Sequence, residues 1–212
     1  MKIGIIGAGY IGGTAAKLFA DAGHEVAIAN SRGAETLRDL VAGLGEKARA
    51  ASAEEAARFG EIVLVSIPFG RYKELPADAL AGKIVIDSNN YYPERDGSYA
   101  ELDHDDTTSS ELLQEHLAGA KIVKAFNTIW FEHLKTQGDR DLPIEQRRVI
   151  FISGDDAEAK KTVADLIEGI GFAAYDTGSL REGGKNQQPG TAIYNRNLTL
   201  SEAAAILGSE GY

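Results

Sequence analysis

Gly7-Ala8-Gly9-Tyr10-Ile11-Gly12 sets three glycines at the spacing GxGxxG. Each has a mechanical purpose when a chain must turn from a strand into a helix and meet a phosphate on the way. Gly7 permits the tight turn, Gly9 lets the backbone approach a pyrophosphate, and Gly12 lets helix and strand pack closely. The helix start then offers unpaired N–H groups and a partial positive charge to the anion. This combination points to a dinucleotide. Some 20 residues further on, a site that reads an unphosphorylated ribose usually offers Asp or Glu. Here the chain reads Asn30-Ser31-Arg32-Gly33. A hydroxyl and a guanidinium stand where the carboxylate would be, and both suit a 2′-phosphate. The cofactor this chemistry selects is NADP(H).

Other candidates are less committed. Asn89-Asn90-Tyr91-Tyr92 offers amides and aromatic faces to a planar partner. Asp103-His104-Asp105-Asp106 has the donor types of a hard or borderline cation site, but adjacent loop residues rarely all turn inward, so a solvated acidic loop is the expectation. Of the four histidines, His24 falls in a turn, His116 at helical spacing, and His133 a few residues past Asn127, where it alone is near the expected cleft.

These residues need a scaffold, and the apolar periodicity supplies one. Ile3–Ile6 is a short apolar run, Ile11, Ala15, Leu18, Phe19 and Ala22 recur at helical spacing, and Glu25–Ala29 is a second run. That is a strand, a helix and a strand at the length of a βαβ crossover. The rhythm continues with a helix near Ala34–Gly43, a strand near Lys47–Ala51 and a helix opened by Ser52, with Glu54 and Glu55 in its first turn. Ile62–Ile67, Lys83–Asp87 and Lys121–Phe126 are further strands, with a helix from Ser109 to Leu117 before the last. Runs apolar at every position are buried on both faces, which requires a parallel sheet covered by helices. Arg147–Ser153, Glu158–Ile167 and Phe172–Asp176 add one more strand–helix–strand unit. Gly183–Gly190 reads as loop and Leu200–Leu207 as a short helix. The fold class is therefore α/β, a Rossmann-type doubly wound parallel sheet over residues 1–137 with a small C-terminal α/β extension over 138–212.

Composition removes several classes. The 212 residues carry 22 Lys+Arg against 32 Asp+Glu, a formal charge of −10, so the basic footprint of nucleic-acid binding is missing. With no Cys there are no disulfides, thiolate metal sites or cysteine nucleophiles. No apolar run reaches the roughly 20 residues a membrane helix needs, and a cytoplasmic location is expected.

Taken together, the glycine motif, Asn30–Gly33, Ser66-Ile67-Pro68-Phe69, Asp87–Pro93, Lys124-Ala-Phe-Asn-Thr-Ile129, Gly154-Asp155-Asp156 and Gln188–Thr191 resemble the NADPH-dependent oxidoreductases related to coenzyme F-420:NADP oxidoreductase. The same core resembles the cytosolic domain of the six-transmembrane ferric reductases. The resemblance implies NADPH in the N-terminal domain, with a deazaflavin or flavin (F-420, FMN or FAD) held against the nicotinamide in a cleft closed by the C-terminal part. It places Gly7, Gly9, Tyr10, Ile11 and Gly12 at the pyrophosphate, and Ser31 and Arg32, with Asn30 beside them, at the 2′-phosphate. Ser66, Ile67 and Pro68 edge the nicotinamide ribose; Ala125 and Asn127, with Asn89 nearby, border the nicotinamide. Direct hydride transfer needs stacking and exclusion of water and no obligatory protein acid or base, so no catalytic side chain is assigned. Two alternatives stand beside this reading: ferric iron as terminal acceptor, directly or through a flavin, and an NADPH-binding redox sensor without turnover. The tail after Gly183 is open to two roles, a homodimer contact or closure of the cleft.

Overall fold

The computed structural model describes residues 1–209; the last three residues of the expected C-terminal extension lie outside them. The chain runs β1 (Lys2–Ile6), α1 (Tyr10–Asp21), β2 (Glu25–Ala29), α2 (Arg38–Leu44), β3 (Ala48–Ala50), α3 (Ala53–Phe59), β4 (Ile62–Val65), α4 (Ala77–Leu80) and β5 (Ile84–Asp87). It continues with the short turns α5 (Pro93–Asp96) and α6 (Ala100–Asp103), then α7 (Ser109–His116), β6 (Lys121–Ala125) and α8 (Phe131–Thr136). β7 (Val149–Gly154), α9 (Ala157–Gly169), β8 (Ala173–Asp176), α10 (Glu182–Asn186) and α11 (Leu200–Ser209) complete it.

The strands form one eight-stranded sheet in the order β3-β2-β1-β4-β5-β6-β7-β8. All neighbours are parallel except β6 and β7, which pair antiparallel. The C-terminal strands therefore continue the same sheet past residue 137. Chain order reverses between β1 and β4, and a crevice at such a switch point, outside the carboxyl ends of the strands, is where open α/β sheets bind ligands.

Alternation along each strand explains the two-sided core. Ile3, Ile5, Val26, Ile28, Ile62 and Leu64 point to the face packed by Phe19 of α1, Leu134 of α8 and Val163 and Leu166 of α9. Their neighbours Ile6, Ala27, Ala29, Val63 and Val65 point to the opposite face, against Ala56 and Ala57 of α3 and Leu113 of α7. Helix starts follow local chemistry. Ser52 accepts from the Glu55 amide and Glu55 reaches back to Ser52, a capping box that begins α3 where the sequence placed it. Thr108 and Glu111 form a second box, so α7 begins at Ser109 as expected, with Thr108 as its cap.

Two expectations change. Gly183–Gly190, read as loop, overlaps the short helix α10: the Glu182 amide donates to Ser179 Oγ at 3.0 Å, and the bare backbone of Gly183 lies where a Cβ would meet Thr177 Oγ1 at 2.5 Å. The connection after Asp87 is not wholly irregular, since Pro93 and Ala100 each start one helical turn.

Candidate cofactor and acceptor site

The glycine turn shows which of its three glycines the protein itself requires. Gly7 adopts φ +113°, and a Cβ there would lie 2.0 Å from the Ser66 carbonyl oxygen. At Gly12 a Cβ would lie 1.9 Å from the carbonyl oxygen of Gly7. Gly9 differs: nothing lies within 4 Å of the Cβ position. Packing accounts for two glycines, while the third leaves open space at the start of α1. No side chain caps this helix, so its first amides are free for an anion.

The end of β2 is built by Asn30. Its Oδ1 accepts from the Arg32 amide at 2.9 Å and its Nδ2 donates to Thr36 Oγ1 at 2.9 Å. The Asn30 amide is thus committed to shaping the turn. By contrast, the Ser31 hydroxyl and the Arg32 guanidinium have no hydrogen-bond or ion-pair partner among the described residues. A cavity of about 220 Å³ opens beside Ser31, lined by Gly7, Asn30, Ser31, Ile67, Arg71 and Glu74. Arg71 and Glu74 carried no signal in the sequence, because the 3-10 turn Phe69–Glu74 that presents them lacks periodicity.

Ser66, Ile67 and Pro68 follow β4. The Ser66 carbonyl presses on Gly7, and the Ile67 amide donates to Asn89 Oδ1 at 2.8 Å, tying the loops after β4 and β5 together. Below them lies a buried polar network. Asp87 and Lys124 are register partners on β5 and β6, 0% and 1% exposed. Lys124 Nζ donates to Ser110 Oγ at 3.0 Å, the Asn89 carbonyl at 3.1 Å and Asp87 Oδ2 at 3.5 Å. Ser110 Oγ donates to Asp87 Oδ2 at 2.6 Å, and the Asn89 amide donates to Asp87 Oδ1 at 2.9 Å. All three ammonium donors are used, which is what permits a charge to be buried here.

After β6, Phe126 takes φ +65°, a conformation uncommon for a side chain of that size, and Asn127 follows it. Asn127 Nδ2 donates to the Gln187 carbonyl at 2.7 Å and to Asn90 Oδ1 at 3.0 Å. Tyr194 joins the same loop, its hydroxyl 2.7 Å from that of Tyr92 and 3.3 Å from Asn90 Nδ2. Burial first, and then the bond to Tyr92, push the Tyr194 phenol well above its ordinary value, so it stays protonated near neutrality. Asn89 Nδ2 and Asn127 Oδ1 are buried without partners among the described residues. Ala125 lies wholly in the core.

Not every aromatic or acidic candidate is available. Tyr91 donates to Asp103 Oδ1 at 2.7 Å and packs edge-on against Phe69 and Tyr99, while Arg95 covers the ring of Tyr92. The exposed aromatic faces lie elsewhere, at Tyr10, 75% exposed and stacked on Phe131, and at Trp130, 51% exposed. In the acidic loop Asp103 also accepts from Ser98 and Asp105 pairs with Lys185 at 3.0 Å; among the described residues no group of three or more His, Asp or Glu could hold a metal. His24 packs edge-on against Phe19, His116 meets Tyr72 and the Leu75 carbonyl, and His133 packs against Trp130 with Nδ1 unpaired.

An open, uncapped glycine turn and an uncommitted Ser-Arg pair fit NADP(H), and comparison with known proteins points the same way. Residues 2–91 match the family described as NADP oxidoreductase, coenzyme F-420-dependent. A hypothetical protein from Sinorhizobium meliloti is 32% identical, with 94% of this chain and 95% of that one covered and a TM-score of 0.81. The chain belongs to the coenzyme F-420-dependent NADP oxidoreductase family. Another solved relative, a candidate F-420-dependent NADP-reductase from an Arthrobacter species, is 27% identical over 94% of this chain and 99% of that one, with a TM-score of 0.75. Metalloreductase STEAP3 of Rattus norvegicus is 34% identical over 182 residues, 84% of this chain; the chain spans 34% of that protein's length. Among the described residues no helix is long and apolar enough to cross a membrane. As a member of this family the chain is an NADP-dependent oxidoreductase.

Proposed function

We propose that the protein transfers a hydride from NADPH to the ring of a flavin or deazaflavin (F-420, FMN or FAD). The observation that carries the reading is the pairing of open space at Gly9 with a hydroxyl and a guanidinium left uncommitted at Ser31 and Arg32. The free amides at the start of α1 hold the pyrophosphate. Arg32 and Ser31 hold the 2′-phosphate, which overcomes the repulsion expected between a polyanion and a chain of net charge −10. Ser66, Ile67 and Pro68 edge the nicotinamide ribose. Asn89 Nδ2 and Asn127 Oδ1 are a spare donor and a spare acceptor, the complement of a carboxamide.

When bound, NADPH supplies the hydride from its nicotinamide C4, and the acceptor ring takes it up together with one proton from solvent. The chain's residues orient rather than react. Tyr194 meets Asn90 in the loop after β5 and the Gln187 carbonyl meets Asn127 after β6, so the tail covers both loops and restricts water at the cleft. Trp130, three residues past Asn127, offers its exposed face to a planar acceptor. Incubating the protein with NADPH and F-420, FMN or FAD, and following absorbance at 340 nm, tests the proposal; no oxidation with any acceptor overturns it. The similarity to a metalloreductase favours a second reading in which a ferric complex is reduced by the flavin after it leaves the cleft.

A further inference from the structure

The cavity beside Ser31 has a cation on its far wall. Arg71 and Glu74 line it from the opposite loop, the one that follows β4, and face Asn30 and Ser31 across about 220 Å³. Within the 3-10 turn Phe69–Glu74 the guanidinium forks onto the carboxylate, with Nε 3.0 and 3.1 Å from the two carboxylate oxygens and an Nη 2.5 Å from one of them. This is the bidentate arrangement an arginine gives a carboxylate or a phosphate. Both side chains are well exposed, 46% and 60%. An exposed pair three residues apart contributes little to stability and exchanges readily for a stronger anion. The pair is exposed rather than buried, and it sits on the wall of the cavity that the nucleotide's adenosine end would enter.

Resting on the reading that NADPH binds here, we infer that Arg71 is a second ligand of the 2′-phosphate, and that Glu74 is an internal anion which the phosphate displaces from it. Arg32 then grips the phosphate from the β2 side and Arg71 from the β4 side. A doubly charged phosphate outcompetes a single carboxylate for the fork, whereas an unphosphorylated ribose cannot. Glu74 acts against both nucleotides by its charge, but only the phosphorylated one recovers a new ion pair by moving it. The pair thereby raises discrimination between NADP and NAD beyond what Ser31 and Arg32 supply.

The adenosine halves of the two cofactors test this without turnover. Binding of 2′,5′-ADP and of 5′-AMP is measured calorimetrically for the full chain and for Arg71→Ala, Arg71→Lys and Glu74→Gln. Arg71→Ala should weaken 2′,5′-ADP roughly ten- to a hundredfold and leave 5′-AMP nearly unchanged. Arg71→Lys, which keeps the charge but loses the fork, should fall between. Glu74→Gln should tighten 2′,5′-ADP several-fold, because it frees the guanidinium. Equal weakening of both ligands by Arg71→Ala would mean stacking on adenine and would overturn phosphate pairing, as would no effect on either or weaker 2′,5′-ADP binding in Glu74→Gln. Should the unaltered chain itself not prefer 2′,5′-ADP, the NADPH reading fails at Ser31 and Arg32; a preference there with an inert Arg71 sinks this inference alone.

Discussion

Substituting each glycine of the turn separates folding from binding. Gly12→Ala places a methyl 1.9 Å from the backbone oxygen of Gly7, and backbone cannot rotate away as a side chain can. Overpacking of this kind costs about 3 kcal/mol or more, which for a chain of 212 residues lowers Tm by roughly 6–12 °C. Gly7→Ala adds a backbone conformation of φ +113° to a similar clash, so it should be at least as damaging. Gly9→Ala meets nothing within 4 Å and sits at φ −78°, which alanine adopts freely. Its stability should change by no more than about 1 kcal/mol, because weaker capping and a stiffer unfolded chain offset one another. The same methyl occupies the space a pyrophosphate needs, and moving a phosphate oxygen off one amide forfeits about 1.5–3 kcal/mol, a ten- to hundredfold loss of affinity. Differential scanning calorimetry with a fluorescence titration of NADPH reads both quantities on each variant. Gly9→Ala binding NADPH as tightly as the parent chain, or unfolding as early as Gly12→Ala, would refute the reasoning.

Three further outcomes follow from the geometry. Arg32→Ala should weaken NADPH roughly ten- to a hundredfold and leave NADH unchanged in competition titrations; an unaltered preference would remove the residue from the 2′-phosphate site. Lys124→Met strands the Asp87 carboxylate in a dry site and should cost about 3–5 kcal/mol, read as an earlier urea midpoint, and adding Asp87→Asn should recover part of it. Burial first, then the positive charges of the amino terminus, Arg140 and Lys47, hold His24 below its ordinary 6.5. The unfolded chain therefore takes up this proton first, so stability falls as pH drops through about 6.5 towards the lower folded value. His24→Gln should flatten that part of the Tm–pH curve, and parallel curves would contradict the assignment.

What could be read from the residues depended on how locally each feature is determined. Ile62–Val65 announces a central strand because both faces are buried and every position must be apolar. Ser52 and Glu55 announce a helix start because a capping box is complete within four residues. The glycine spacing is equally local. Arg71 was invisible because its importance comes from facing Ser31 across a cavity, a relation between loops 40 residues apart. The antiparallel pairing of β7 with β6 is likewise set by where the chain returns, which strand composition does not encode. Tyr91 and Tyr92 looked available for stacking, yet Phe69, Tyr99, Asp103 and Arg95 claim them, partners that only the folded chain assembles. Asn127 was marked by its segment, whereas the left-handed Phe126 before it and the Gln187 carbonyl that receives it were not.

The central claim is direct transfer of hydride between two rings in one cleft. Hydrogen delivered to C5 of a deazaflavin does not wash out into water, so NADPH carrying deuterium at the transferred C4 position leaves a permanent record. Mass spectrometry of the deazaflavin reduced by this protein should find one deuterium per molecule, with NADH at least tenfold poorer as donor. Reduced deazaflavin without the label, or NADPH bound but never oxidised, would contradict it.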